Sequence, residues 1–367
     1  MNADAVTQSK HCNVLVMPDY RADNPYQSLL AKSLELSGVS VHFAKGYRRV
    51  LPIFRAVKNS QPSVDIFHLH WLAPYTKGEN ALTKCIYICK FLIDILMVRW
   101  SGVKIIWTVH NRIPHNSKFP NLELWTRRML VKLVDRIILH NHSYLQEILD
   151  EYQCDRSMAE VIPHGNYRDI YNKAINPITA RQELGLPLTG RIYLNQGMLR
   201  PYKGLEHLLK VWGDRSYALA GDTLIIAGKP LDEAYGKQLQ NLAATISGVY
   251  IYPQFIPDDQ MYLFFSAADI AILPFESILT SGSLVLAMSY SKPIIAPKLG
   301  GIVETLGAAD WLLYNPEEEQ GLLQAIEKST QIDLSELSQL TTQACDLRDW
   351  QQIGQKTAET YKVTISF

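Results

Sequence analysis

Two α/β domains in tandem, each a parallel sheet with helices on both faces, are the fold class that the sequence predicts. Three observations predict it. Short apolar, β-branched runs alternate with helical periods along the chain, as in a parallel sheet buried on both faces. The alternation starts over near residue 190. And 367 residues are more than one ordinary core holds.

The elements follow in order. "NVLVMP" (13–18) is the first strand, and "QSLLAKSLELSG" (27–38) carries the first helical period, stopped by Gly38. "VSVHFAK" (39–45), "DIFHLHW" (65–71), "VKIIWTVH" (103–110), "RIILHN" (136–141) and "AEVIPHG" (159–165) are further strands. Helices are expected over 81–100 and 121–134 between them. Residues 165–189, with Pro177, Gly185 and Pro187, read as the connection between the units. "GRIYLNQG" (190–197) opens the second series, followed by the helix "GLEHLLKVWG". "TLIIAG" (223–228), "VYIYPQ" (249–254), "DIAILPF" (269–275) and "KPIIAP" (292–297) are its remaining strands. The domain boundaries expected are 1–170 and 171–345, with a final segment, 346–367.

Composition narrows the class. At 47% hydrophobic and 20% charged, the chain is a globular protein and not a disordered one. Net charge is zero, but residues 1–170 hold 21 Lys and Arg against 15 Asp and Glu, and the remainder holds the reverse. That split is either a basic half meeting an anionic surface or ordinary scatter. Five cysteines without a CxxC pair or zinc spacing suggest buried thiols in a reducing cytoplasm. No signal-like apolar run opens the chain. "CIYICKFLIDILMVRW" (85–100) is interrupted by Lys90, Asp94 and Arg99, so it reads as a buried or membrane-touching helix, not a span.

Ligands of open parallel sheets bind at the carboxyl ends of the strands, and two such domains face to face would hold a substrate in the central cleft. The residues after the strands therefore carry the chemistry. GxGxxG and the complete Walker loop are both absent, which disfavours a dehydrogenase or a P-loop ATPase. In "QGMLRPYKGLEHLL" (196–209), Arg200 and Lys203 stand beside a helix start. A guanidinium, an ammonium and a helix dipole suit a diphosphate. In "LTSGSL" (279–284), Thr280, Ser281, Gly282, Ser283 and Leu284 form a small hydroxyl-rich turn before another helix. Alone this is a helix cap; paired with Arg200 and Lys203 it reads as a phosphate cradle.

These segments resemble a family. "VIPHGNY" (161–167), "GMLRPYKGLEHLL", "LIIAGKP" (224–230) and "AADIAILPF…AMSYSKPIIAPKLGGIVETL" are similar to the ordered motifs of GT-B fold glycosyltransferases, in particular the large retaining nucleotide-sugar family. The resemblance implies two Rossmann-like domains, acceptor-binding first and nucleotide-sugar-binding second, with a last helix crossing back to the first. It implies that Arg200, Lys203 and the 281–284 amides hold the donor diphosphate, and that Gln254, Phe255 and Ile256 line the base pocket. It implies no metal or other cofactor, protein cations taking the metal's place. Histidines are not grouped as metal ligands either. His110, ending a strand in "WTVHN", matches a histidine that relatives point at the donor sugar. Two departures stand out. Aligned through "AMSYSKP", Ile278 and Leu286 replace a glutamate pair, with Glu276 the nearby substitute, and Met198 replaces an arginine. The chain therefore resembles a divergent branch of exopolysaccharide mannosyl- and glucosyltransferases.

The first domain should bind the acceptor. "DYRADNPY" (19–26) offers Asp19 and Asp23 as candidate general bases, with Asn24 and Asp23 as acceptor contacts; these residues are also ordinary turn formers. His115 could reach the acceptor, and Trp71 is a candidate sugar-stacking surface. "KGYRRVLPIFRAVK" (45–58) interleaves cations with apolar residues, suiting either an anionic membrane or a solvated face. No nucleic-acid module accompanies it. The expected function is transfer of a mannose- or glucose-class sugar from a nucleotide-sugar to a glycan or polyprenyl-diphosphate-linked acceptor in cell-surface polysaccharide synthesis. The expected place is the cytoplasm, either free or peripheral on the membrane's inner face. A non-catalytic glycosyltransferase-like partner and a sugar-nucleotide epimerase are the alternatives.

Overall fold

The computed structural model describes residues 12–22, 24–44, 50–113, 117–214 and 221–366. The chain divides into two compact units. The first comprises Met1–Pro163 with Trp350–Phe367, and the second His164–Asp349.

The first unit runs β1 (Cys12–Met17), α1 (Tyr26–Leu36), β2 (Val39–Phe43), α2 (Pro52–Asn59), β3 (Ile66–Leu69), α3 (Ala81–Trp100), β4 (Lys104–Thr108), α4 (Pro120–Val131), β5 (Arg136–Leu139), α5 (Leu145–Tyr152) and β6 (Ala159–Val161). The six strands form one parallel sheet in the order β2-β1-β3-β4-β5-β6. Val14, Ile66, Phe67, Ile105, Ile106 and Ile137 have no measurable exposure, as strands covered on both faces require.

The second unit runs α6 (Pro177–Glu183), β7 (Ile192–Gln196), α7 (Leu205–Asp214), β8 (Thr223–Ala227), α8 (Glu233–Ala243), β9 (Val249–Tyr252), α9 (Met261–Ala267), β10 (Ile270–Ile272), α10 (Gly282–Ser289), β11 (Ile294–Pro297), α11 (Gly300–Leu306), β12 (Leu313–Tyr314), α12 (Gly321–Ser329) and α13 (Leu334–Asp346). Its parallel sheet has the order β12-β11-β10-β7-β8-β9. The last helix, α14 (Trp350–Ser366), packs on α1 in the first unit.

One device recurs at the amino ends of both sheets. An aspartate just before one strand accepts a backbone amide at the start of its neighbour. Asp65 takes Asn13, Asp135 takes Ile105, Asp222 takes Arg191 and Asp269 takes Ile192, all at 2.8 or 2.9 Å. These bonds satisfy orphan donors and fix strand register.

Every strand expected from the sequence is present, most of them one to four residues shorter at an end, and β1 shifted one residue earlier. β12 and α2 were not expected. The unit boundaries differ from 170 and 345. Residues after Pro163 already bond within the second unit: the Asn166 amide donates to Arg348 O at 3.0 Å, and the Tyr167 amide to Ser289 Oγ at 2.9 Å. The supposed connection contains α6, whose Arg181 reaches Ala267 O and Asp269. The thiols also differ from expectation. Cys12 and Cys345 are buried, but Cys85 and Cys89 are exposed on the outer face of α3.

Candidate functional site

In each sheet the strand order reverses once, and the crevice at that reversal is where an open α/β sheet receives its ligand. In the second unit it lies beyond the carboxyl ends of β7 and β10. The two loops leaving those strands are the ones singled out above.

After β7 the chain passes Gly197 at φ +122° and Arg200, then makes a short 3-10 turn over Pro201–Lys203. Lys203 is only 5% exposed, and its Nζ donates to Ser283 Oγ at 3.1 Å across the crevice. Glycine at 197 permits this meeting. A Cβ there would stand 2.4 Å from Ser283 Oγ and 2.6 Å from Lys203 Nζ. Burial, with the nearby Arg200 charge, pushes the Lys203 ammonium down to about 8, so it is charged at neutral pH and held at some cost. The half-buried Arg200 side chain has no hydrogen-bond or ion-pair partner among the described residues.

The second loop begins α10. Ser281 is its N-cap and accepts the Leu284 amide at 3.1 Å. The Leu284 amide thus serves the helix, which corrects the expectation that it faces a ligand, while the Ser281 O–H keeps its donor. The Gly282 and Ser283 amides remain at the positive end of the helix. Thr280 Oγ1 is buried without a partner among the described residues. Glu276 is exposed, and its amide donates to Tyr202 O at 2.9 Å, tying the two loops together. Leu286 is 5% exposed and packs in the core of the unit, so an apolar residue suits that position. Of the base-pocket candidates, Ile256 is buried, Gln254 is exposed, and Phe255 presents an open ring at 66% exposure.

In the first unit the order reverses between β1 and β3. After β1, Asp19 is held by Arg21 through two bonds of 2.9 Å, and this partner lowers its pKa. A carboxylate so stabilised is a weak base. Asn24 Oδ1 accepts the Tyr26 amide at 2.9 Å, at the start of α1. Asp23 and His115 lie outside the described residues.

After β3, β4 and β5 come the histidines. His140 Nδ1 lies 2.8 Å from Ile162 O, His140 Nε2 3.4 Å from His110 Nδ1, and His110 Nε2 2.9 Å from His70 Nδ1. A carbonyl only accepts, so His140 Nδ1 carries the proton. With neutral rings the direction then propagates: His110 Nδ1 donates to His140, and His70 Nδ1 donates to His110. Burial and neighbouring imidazoles lower the His70 pKa, keeping it neutral. His110 therefore spends both ring nitrogens on protein partners. Trp71 covers it, with ring centroids 4.4 Å apart and planes at 14°. One face of Trp71 is thus occupied by His110, leaving a single face for any sugar. His68 bonds Tyr361 and Thr108, both at 2.7 Å, and is structural.

The comparisons with known proteins fall on this geometry. Residues 190–331 match the family described as Glycosyl transferases group 1. A GDP-mannose:glycolipid 4-beta-D-mannosyltransferase of Xanthomonas campestris is 26% identical over 307 residues, covering 81% of this chain and 79% of that one. A D-inositol 3-phosphate glycosyltransferase of Acidothermus cellulolyticus is 25% identical over 56% of this chain and 49% of its own. Sucrose-phosphate synthase of Thermosynechococcus elongatus superposes with a TM-score of 0.73 over 97% of this chain and all of that one, at 14% identity. HepE of Anabaena, solved with UDP and glucose, gives 0.70 over 96% and 100%, at 16%. Residues 190–331 are thus a glycosyltransferase group 1 domain, and the chain has the GT-B fold.

One feature of the first unit has little signal in the sequence. Lys84, Glu123 and Arg127 form a buried ion triad, Glu123 accepting from both cations. The triad lines a cavity of about 160 Å³ together with His70, Trp71 and His110, at the strand ends. The i, i+4 spacing of Glu123 and Arg127 was the available signal. Lys84 lies in another helix, so only folding brings it there.

Proposed function

We propose that the glycosyltransferase moves a mannosyl or glucosyl residue from a nucleoside-diphosphate sugar to a hydroxyl of a lipid-linked glycan, in building a cell-surface polysaccharide. The observation that carries the donor half is the Lys203–Ser283 contact at the head of α10, with Arg200, unpartnered among the described residues, beside it. Two cations and two helix-start amides converge where a diphosphate would sit. The acceptor half leans on the printed name of the Xanthomonas relative, which acts on a glycolipid and uses GDP-mannose. Transfer runs without a metal in this reading, because Arg200 and Lys203 neutralise the leaving diphosphate. Glu276, on the rim of the same loops, contacts the donor sugar. His110 positions rather than reacts, since a ligand must displace a protein partner to reach its ring nitrogens. Phe255 offers its exposed face to the base.

The test is turnover of GDP-mannose and UDP-glucose with a polyprenyl-diphosphate-linked glycan. Arg200→Ala and Lys203→Ala should each lower kcat/KM by about tenfold or more, the worth of one charged hydrogen bond. Full activity in both variants would sink the diphosphate assignment. Release of an isomerised sugar without acceptor would make the protein an epimerase instead.

A further inference from the structure

The helix α3 poses a problem that the active site does not answer. Its buried face is regular: Lys84, Ile88, Phe91, Ile95 and Val98 turn inward against the rest of the unit. The opposite face should be polar in a helix that meets water. It is not. Leu82 is 72% exposed, Ile86 49%, Ile93 52% and Trp100 78%. With Cys89 and Met97 they stand at 82, 86, 89, 93, 97 and 100, steps of three and four that draw one stripe along the helix. At 1.5 Å per residue the stripe is about 27 Å long. An exposed apolar surface of this extent marks an interaction site.

The exposed charges along α3 and on α2 have one sign, with exposed Glu79 just before the start of α3. The exposed ionisable residues of α3 are Lys90 and Arg99, and α2, packed against it, adds exposed Arg55 and Lys58. The acids of α2, α3 and α4 are Asp94 and Glu123, and both are buried. Asp94 accepts the Ile53 and Phe54 amides at 2.9 and 2.8 Å, and Glu123 belongs to the ion triad. α2 and α3 thus expose cations and no acid, and α4 exposes no acid either. A cavity of about 250 Å³ opens beside the stripe, lined mainly by Leu51, Tyr75, Tyr87, Phe91 and Ile93, with Lys90 and the amide-bonded Asp94 also in its wall. No helix among the described residues is long and apolar enough to cross a membrane.

We propose that the α3 stripe seats the first unit on an anionic lipid bilayer, lying in the interface with Trp100 at one end, and that the adjoining cavity takes one hydrocarbon chain. Apolar burial supplies the grip and Lys90, Arg99, Arg55 and Lys58 supply attraction to anionic headgroups. The apolar stripe also fits a protein partner or a second copy, but four exposed cations against Glu79 leave the margin net cationic, complementary to an anionic lipid surface and repelling an identical copy of itself. The inference deepens the reading that the acceptor is lipid-linked, and it identifies where the chain would meet that lipid.

The test is co-sedimentation of the full chain with vesicles of phosphatidylcholine alone and of phosphatidylcholine mixed with phosphatidylglycerol. The wild type should pellet with the mixed vesicles and far less with the neutral ones. The variant Ile86→Gln/Ile93→Gln should lose about tenfold in partitioning, since each side chain gives up apolar burial. Lys90→Gln/Arg99→Gln should lose the preference for anionic lipid. Both pairs are exposed, so circular dichroism and nucleotide binding should be unchanged in these variants. Equal partitioning of wild type and Ile86→Gln/Ile93→Gln overturns the proposal, as does a wild type that stays in solution with both vesicles. Concentration-dependent self-association abolished by the isoleucine pair would assign the face to a second copy and overturn it too. Nucleotide binding reports separately on the donor site, so failure of that site and failure of the docking face are distinguishable.

Discussion

Lys203 is the residue on which the donor site turns. It is buried, charged at neutral pH, and answered among the described residues by a serine hydroxyl and no carboxylate. A buried cation without a counter-ion is a costly arrangement that an anionic ligand relieves. The sign of the pH dependence follows. A diphosphate favours the charged form, so binding takes up the proton that the free protein loses above about 8. Calorimetry should show nucleoside-diphosphate affinity flat from pH 6 to about 8 and falling above it, by at most about tenfold per pH unit for one proton. Lys203→Met should bind weakly at every pH and without that fall. An unchanged fall in Lys203→Met would place the titrating group elsewhere. None of this is visible in "RPYKG", where Lys203 looks like any loop lysine. The burial comes from the approach of the 280–284 turn, eighty residues away.

At the scale of elements, α14 shows how a helix from the far end of the chain completes a sheet. It packs on α1 so closely that a Cβ on Gly354 would lie 1.8 Å from Ser33 Oγ and 2.7 Å from Ser33 O. Gly354 is helical, so the glycine is required by approach and not by backbone conformation. Backbone cannot yield as a flexible side chain does. Gly354→Ala should therefore destabilise the protein by about 1–3 kcal/mol, the usual cost of overpacking, read from urea unfolding followed by a first-unit probe. A stability equal to wild type would mean that the two helices pack less tightly than described. The sequence marked "DWQQIGQKTAETYK" as a helix by resemblance, but a glycine in a helix reads as a weakness. Its reason is the neighbour that only the fold supplies. The histidines teach the same lesson. His68, His70, His110 and His140 were each visible at strand ends, yet their order in a hydrogen-bonded chain depends on adjacent strands in register.

At the scale of the molecule, the first unit is made from two separate pieces of chain and the second from one. α14 anchors the closing piece through Tyr361 Oη to His68 at 2.7 Å and Lys356 Nζ to Val161 O at 2.7 Å. A chain truncated after Asp349 should keep the second unit folded and able to bind a nucleoside diphosphate. It should lose the cooperative unfolding of the first unit and expose the apolar face of α1. Limited proteolysis and calorimetry check this: protection of the first unit without α14 would contradict it. The boundary at 163 and 349 could not be read locally, because residues 164–170 look like a linker. They join the second unit through amides bonded to Arg348 and Ser289.

The sequence by itself determined the two parallel sheets, their strands, the loops that carry chemistry and the resemblance to the glycosyltransferases. Those features rest on local information: apolar period, glycine and proline at turns, and short motifs. The tertiary structure alone decided which polar groups meet. It buried Lys203 against Ser283, spent the Leu284 amide on a helix cap, tied up both nitrogens of His110 and left the α3 stripe facing outward. Each of these depends on what a distant segment places at hydrogen-bond distance, or fails to cover, and no local pattern encodes that.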